Sequence, residues 1–362
     1  MIADKVRVGI VGVSGYGGGE LARLLSMHPK AELTYVTSGT YKGKPLSAAL
    51  PGVANRINLT CEEFDIDTAV AKCDVVFLAG EAGLAMKLAE PLIGAGKKVI
   101  DLSADFRLKS TADYQQWYKS EHTAPHMIDQ AVYGLPEINR SKIKTASLIA
   151  NPGCYPTSAI LALYPLLTHL GLKPMLGPIV DTKSVIIDSY SGTSGAGRSK
   201  FSLDYHFAEV NESIKPYGVG GVHRHVPEIE QTLTQIANVF DPVLVTFTPH
   251  LAPITRGILT TTYSTLIDPM PAEQLRDLYK VAYKDEPFVV VMDEGQWPST
   301  KMTVGSNYCY IGLTVDTRTN RVIVISAEDN LVKGMAGQAI QNMNLMCGFE
   351  ETDGLQMVGM WP

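Results

Sequence analysis

What this sequence lacks narrows it before any motif is considered. Its five cysteines (Cys61, Cys73, Cys154, Cys309 and Cys347) are odd in number, widely spaced and form no CxxC pair. A zinc ribbon and a disulfide framework both need paired thiols, so neither is expected. The eight histidines show no ligand spacing with carboxylates, and no metal site is expected. Basic residues are not in excess: 31 Lys and Arg stand against 37 Asp and Glu, a net charge of −6. That balance disfavours nucleic acid or an anionic membrane as the main partner. No run is long and apolar enough to span a bilayer, and MIADKVRVGIVG enters a strand pattern without a signal-peptide layout. A cytoplasmic protein is the expectation.

What is present suits a large folded core. The 362 residues are 45% hydrophobic and 19% charged, which favours two domains. KVRVGIVGV (5–13), AELTYVTS (31–38), CDVVFLAG (73–80) and KKVIDLSAD (97–105) read as strands. SGYGGGELARLLSMHP and LAMKLAEPLIGAG (84–96) read as the helices between them. Such alternation with short connections predicts a doubly wound parallel sheet covered on both faces. From about residue 155 the texture changes. After a helix over 157–171 come long strand-like runs, PVLVTFTPHL, RGILTTTYSTLI, NYCYIGLTVD and RVIVIS, and a final helix over 331–348. A mixed or antiparallel sheet with helices on one side is expected there. SGTSGAGRS (191–199) reads as the most flexible piece.

The first strand runs into Gly12-Val13-Ser14-Gly15-Tyr16-Gly17-Gly18. Glycine at 12, 15 and 18 permits a sharp turn, a close approach to pyrophosphate and tight helix–strand packing. The helix N-terminus beyond attracts phosphate, so Gly12, Ser14, Gly15, Tyr16 and Gly18 are candidates for holding a dinucleotide. NAD-selective sites place a carboxylate at the end of the second strand. Here Thr37, Ser38, Gly39 and Thr40 stand there instead, followed by Lys42 and Lys44. Hydroxyls and ammonium groups suit a 2′-phosphate, which points to NADP(H).

Cys154 lies in NPGCYPT (151–157), between turn chemistry and the opening of a helix. A helix N-terminus lowers a thiol pKa toward neutrality, and none of the other four cysteines has comparable surroundings. A nucleophilic thiol needs a proton partner. VHRHVPEI offers His225 just ahead of a helix opened by Pro227, and His223 on the same strand-like face. Glu228, in the first turn, is placed to orient one of them. His122, His126, His169, His206 and His250 lack such neighbours and read as structural or surface residues. Arg107, Arg198 and Arg256 are the candidate anion binders, since a forked guanidinium matches phosphate and carboxylate.

With these segments placed, the chain resembles the N-acetyl-gamma-glutamyl-phosphate reductase family over nearly its whole length. The resemblance is carried by GVSGYGGGEL (12–21), KVIDLSADFRL (98–108), AVYGLPEINR (131–140), IANPGCYPTSA (149–159) and SGTSGAGR (191–198). NESIKPYGVGGVHRHVPEIEQ (211–231), TPHLAPITRGIL (248–259) and EDNLVKGMAGQAIQNMN (328–344) continue it. It implies a Rossmann domain over 1–153 with 330–362 returning to it, and an α+β catalytic and oligomerisation domain with a mixed sheet over 154–329. It implies NADPH as hydride donor, Cys154 as nucleophile, His225 or His223 as acid/base, Asn330 near the nicotinamide and Arg107 facing the phosphate. The implied reaction is reduction of N-acetyl-L-glutamyl 5-phosphate to the 5-semialdehyde through a thioester, in arginine biosynthesis, by a homodimer or homotetramer. Related acyl-phosphate reductases and a non-catalytic NADP-sensing protein are the rival readings. Three positions depart from the family pattern: Tyr190 replaces a Lys, no Arg stands near Gly39, and GEAG (80–83) replaces a His-containing turn.

Overall fold

The computed structural model describes residues 5–168, 177–199 and 202–360. His169 and the last residues of the expected 157–171 helix fall outside that set. The chain forms two compact units. The first comprises the described residues of Met1–Pro152 with Gly197–Ser199 and Met335–Met357; the second comprises those of Gly153–Ala196, Lys200–Gly334 and Val358–Pro362.

The first unit is built on a six-stranded sheet. Its strands are β1 (Val6–Val11), β2 (Ala31–Thr37), β3 (Val75–Leu78), β4 (Lys98–Asp101), β5 (Ala131–Tyr133) and β6 (Leu148–Ala150). They lie in the order β2-β1-β3-β4-β6-β5, and every pair is parallel. The chain leaves β1 toward one edge and β3 toward the other, so a crevice opens between their C-terminal ends. The Rossmann-type expectation holds, and β1 to β4 fall where the alternation places them. Helix Gly337–Cys347 is buried nearly all round, and its polar side chains have partners: Asn342 Nδ2 donates to Gly134 O at 2.8 Å and to Asn151 Oδ1 at 3.1 Å. Ahead of it, Val332–Ala336 forms a π-helical turn within the expected 331–348 helix.

The second unit carries a seven-stranded mixed sheet, as expected. β7 (Val185–Ser191), β8 (Lys215–Pro216), β9 (Val245–Leu251), β10 (Ile258–Thr265), β11 (Val289–Val291), β12 (Cys309–Asp316) and β13 (Arg321–Glu328) lie in the order β11-β12-β13-β10-β7-β9-β8. Helix Cys154–Leu167 packs on β10 and β13 through buried hydroxyls as well as apolar side chains. Ser158 Oγ donates to Thr260 Oγ1 at 2.7 Å and meets Ser326 Oγ at 2.9 Å, while Thr260 meets Ser189 Oγ at 2.8 Å. Buried hydroxyls that satisfy one another fix the helix in register on the sheet. The segment after β7 is not the loose loop its composition predicts. Gly192 and Thr193 donate their N–H groups to Gly257 O and Ile254 O, each at 2.9 Å, and Ser194 N–H to Thr255 O at 3.1 Å. A Cβ on Gly192 would stand 2.7 Å from Thr255 O, so glycine here serves close backbone approach rather than flexibility.

Candidate active site

Cys154 is the first residue of its helix, preceded by Gly153 in extended geometry. The turn before it is held by buried groups. Asn151 N–H donates to Asp101 O at 2.9 Å, Arg107 Nε to Asn151 O at 2.8 Å, and Asn151 Nδ2 to Met335 O at 3.1 Å. Gly153 N–H donates to the Glu228 carboxylate at 2.8 Å, and Glu228 is fully buried. Pro156 lies in the first turn, where its missing N–H has no intrahelical bond to lose. Cys154 is partly exposed; Cys61, Cys73 and Cys309 are buried. Burial pushes the Cys73 thiol up to about 11 and raises Cys61 and Cys347 as well. Those thiols stay protonated at neutral pH.

His225 caps the helix Val226–Ala237, with Pro227 in its first turn. His223 is not on a strand. Gly218, Gly220 and Gly221 take φ of +57°, +83° and +74°, and they roll VHRH into turns that alternation alone mistakes for extended chain. The two imidazoles still come together, with ring centroids 5.0 Å apart, and His225 N–H donates to His223 Nδ1 at 3.2 Å. Burial, then the Arg224 charge, pushes His223 down to about 4, so it is a neutral acceptor at pH 7. Tyr155 meets both rings edge-on, 5.7 Å from His223 and 6.0 Å from His225.

These residues line one cavity of about 350 Å³, together with Ser191, Gly192, Gly195, Tyr205, Tyr217 and Arg224. Tyr217 donates its hydroxyl to Tyr155 Oη at 3.0 Å. Burial raises both phenols, so they remain donors across the neutral range. Tyr155, Tyr217 and Arg224 escape sequence reasoning. The signal available was adjacency, since Tyr155 follows Cys154 and Arg224 separates the two histidines.

The three arginines expected to bind anion lie elsewhere than this lining. Arg107 is buried and donates to Asn151 O and, through Nη2, to Leu102 O at 3.0 Å. Arg256 lies 3.4 Å from the buried Asp329 carboxylate. Arg198 sits in the first unit, where Nη1 donates to Ser14 O at 3.1 Å. Glu228 meets the Cys154 turn through Gly153. Asn330 accepts from Gly257 N–H at 2.7 Å and donates to Ser194 Oγ at 3.0 Å, so its amide braces two loops.

The residues after β1 fit a dinucleotide. A Cβ on Gly12, which has φ +92°, would meet Ala79 O at 2.7 Å, and one on Gly18 would meet Gly12 O at 2.4 Å. Both glycines are required by packing alone. Gly15 is different: its nearest neighbour would be 3.6 Å away, which leaves open the approach to the N-terminus of helix Tyr16–Leu25. Gly12 and Val13 N–H donate to Thr37 O at 3.2 and 3.0 Å, and Ser38 Oγ donates to Ser14 Oγ at 2.9 Å. Lys42 is ion-paired with Glu63, both exposed. Among the described residues no cluster of three or more His, Cys, Asp or Glu could hold a metal, and no helix is long and apolar enough to cross a membrane.

Comparison with known proteins agrees with both halves of this description. Residues 7–146 match the semialdehyde dehydrogenase NAD binding domain, and residues 154–330 match the semialdehyde dehydrogenase dimerisation domain. The N-acetyl-gamma-glutamyl-phosphate reductase of Pelotomaculum thermopropionicum is 52% identical over 357 residues, covering 99% of each chain. That of Desulforamulus reducens is 51% identical over 357 residues, covering 99% of this chain and 100% of its own. Two solved structures share the fold. Aspartate semialdehyde dehydrogenase II from Vibrio cholerae, complexed with ASA, has a TM-score of 0.72 at 18% identity, covering 96% of this chain and 99% of its own. Aspartate semialdehyde dehydrogenase with NADP from Candida albicans has a TM-score of 0.68 at 17% identity, covering 95% and 99%. The chain is an oxidoreductase of the phosphorylating aldehyde dehydrogenase class, and it belongs to the N-acetyl-gamma-glutamyl-phosphate reductase family.

Proposed function

We propose that this protein reduces N-acetyl-L-glutamyl 5-phosphate to N-acetyl-L-glutamate 5-semialdehyde, with NADPH as donor and release of phosphate. It would serve arginine biosynthesis in the cytoplasm as a homodimer or homotetramer. The observation that carries the reading is the cavity that gathers Cys154, at the start of a helix, with His223 and His225. The names of the relatives supply the substrate.

Cys154 is the nucleophile. Its thiol proton passes to His225 as sulfur attacks the acyl carbon, the C–O bond to phosphate breaks, and the departing phosphate takes that proton. Nδ1 of His223 accepts the His225 N–H and fixes the backbone that carries the second imidazole. Bound NADPH supplies the hydride that reduces the thioester. The N–H groups of the first helical turn, beside Cys154, would stabilise negative charge on the oxygen of the thioester carbon. Collapse of that oxyanion breaks the C–S bond and frees the aldehyde, and His225, having taken up a proton from solvent after phosphate left, protonates the thiolate. Arg224 brings a guanidinium to the cavity lining for the oxygens of the substrate.

The test runs the reaction in reverse with phosphate and NADP. Turnover of N-acetylglutamate semialdehyde far above aspartate semialdehyde is expected; the opposite order overturns the substrate. Cys154→Ser should lower kcat by about a thousandfold or more while leaving NADP affinity unchanged. Retained turnover overturns the thioester.

A further inference from the structure

Resting on the reading of NADP(H) as cofactor, we infer that Arg198 binds the 2′-phosphate of the adenosine ribose and sets the preference for NADP(H) over NAD(H). The segment that follows β2 from Thr37 to Lys44 carries hydroxyls and two lysines but no arginine. The fold brings one in from 157 positions along the chain. Arg198 Nη1 donates to Ser14 O at 3.1 Å and to Ala49 O at 3.3 Å, and Nη2 donates to Tyr41 Oη at 3.2 Å. Its guanidinium also lies 5.8 Å from the centroid of the Tyr41 ring. Tyr41 is tied back to the cradle, since its N–H donates to Ser38 Oγ at 3.2 Å and Ser38 Oγ donates to Ser14 Oγ.

This arrangement orients the guanidinium without neutralising it. Its acceptors are two carbonyls and a phenol, and among the described residues no carboxylate pairs with it. The acids that follow in sequence have cations of their own, Glu63 with Lys42 and Glu62 with Lys72. Of the five N–H donors of an arginine, these bonds use three; the Nε–H and one Nη2–H remain for a ligand. The segment after β2 also leaves room at Gly39, where a Cβ would meet nothing within 4 Å. Lys44, 5.9 Å from the same ring centroid, adds a second positive charge. A charged fork held at the rim of a nucleotide cradle, beside hydroxyls and lacking a carboxylate, matches a phosphate monoester. A cofactor without the 2′-phosphate offers it nothing.

The test is isothermal titration of the full-length protein with NADP+, NAD+ and adenosine 2′,5′-bisphosphate. Arg198→Ala should weaken NADP+ and the bisphosphate about 30-fold while changing NAD+ less than about threefold. Arg198→Lys should fall between, because an ammonium keeps the charge and loses the fork. Tyr41→Phe, which removes one anchor and no charge, should give a smaller loss confined to the same two ligands; it serves where the alanine variant fails to fold. Equal losses for NADP+ and NAD+, or no loss, with the wild-type preference for NADP+ intact, overturn this assignment alone. A wild-type protein that binds NAD+ as tightly as NADP+ overturns the cofactor reading, and this assignment with it.

Discussion

The Glu228 carboxylate, 0% exposed, accepts the Gly153 N–H at 2.8 Å, so the helix that follows the two histidines holds the turn that presents Cys154. A hydrogen bond accepted by a buried carboxylate is worth about 1.5–3 kcal/mol. Its loss lets the sulfur move, and misplacement by about 1 Å costs on the order of 100-fold in rate. Glu228→Ala should therefore cut kcat by about that factor with NADP affinity retained, and Glu228→Gln, which keeps an acceptor, by less. Steady-state kinetics beside the rate of Cys154 alkylation checks this. Loss of turnover with unchanged thiol reactivity would place Glu228 elsewhere in the reaction.

Gly334 also packs against the same cysteine. A Cβ there would stand 2.7 Å from Cys154 Cβ and 2.9 Å from Glu328 Oε1, closer than packing permits. Gly334→Ala should displace the nucleophile and cost about 1–3 kcal/mol of stability through overpacking. The rate should fall further than the stability loss alone explains at 25 °C, where the variant is still folded. Urea unfolding and kcat on the same sample measure the two effects; a fully active Gly334→Ala removes the argument.

Much of this was legible in the sequence, and what was not has physical causes. The four strands β1 to β4 and their glycine turns are local patterns, so composition alone places them. β5 and β6 have three residues each, too few for a period to register. The Cys154 turn was legible as turn chemistry, but its supports come from Glu228, 75 positions away, and from Arg107. The hydroxyl chain of Ser158, Thr260, Ser189 and Ser326 joins a helix to three strands and has no local signature. Tyr190, which departs from the family pattern, finds its reason across the sheet: it neighbours His250 in register and stacks on that ring at 4.6 Å, while His250 Nδ1 meets Asp188 at 3.2 Å. SGTSGAGRS misleads because glycine permits two opposite outcomes, a loose chain or a close approach, and only the partner strand decides.

His223 gives the protein an acid-sensitive term. Its imidazole sits at about 4 in the folded state against an ordinary 6.5, chiefly through burial and then through Arg224. Between those values the unfolded chain binds a proton that the folded protein refuses. The contribution is therefore complete above pH 6.5 and is lost as the pH falls toward 4, amounting to about 3 kcal/mol at most. His28, also lowered by burial, acts in the same direction, so the wild-type profile alone does not isolate His223. Urea unfolding of wild type and His223→Gln from pH 4.5 to 8 does. The variant should show a shallower slope below pH 6.5; parallel slopes would refute the assignment.

The helix that begins at Cys154 contains Pro165, and a proline there cannot donate to the carbonyl four residues earlier. That carbonyl, Leu161 O, accepts instead from the Tyr283 hydroxyl, which is buried. Tyr283→Phe should strand a buried acceptor and destabilise the protein by about 1–3 kcal/mol. Replacing Pro165 by Ala restores an N–H that can reach Leu161 O, so the same tyrosine change should then cost less. The double-mutant cycle in urea should show a coupling of about 1 kcal/mol. If the two changes add without coupling, the hydroxyl does not substitute for the missing donor, and another account of the helix at Pro165 is needed.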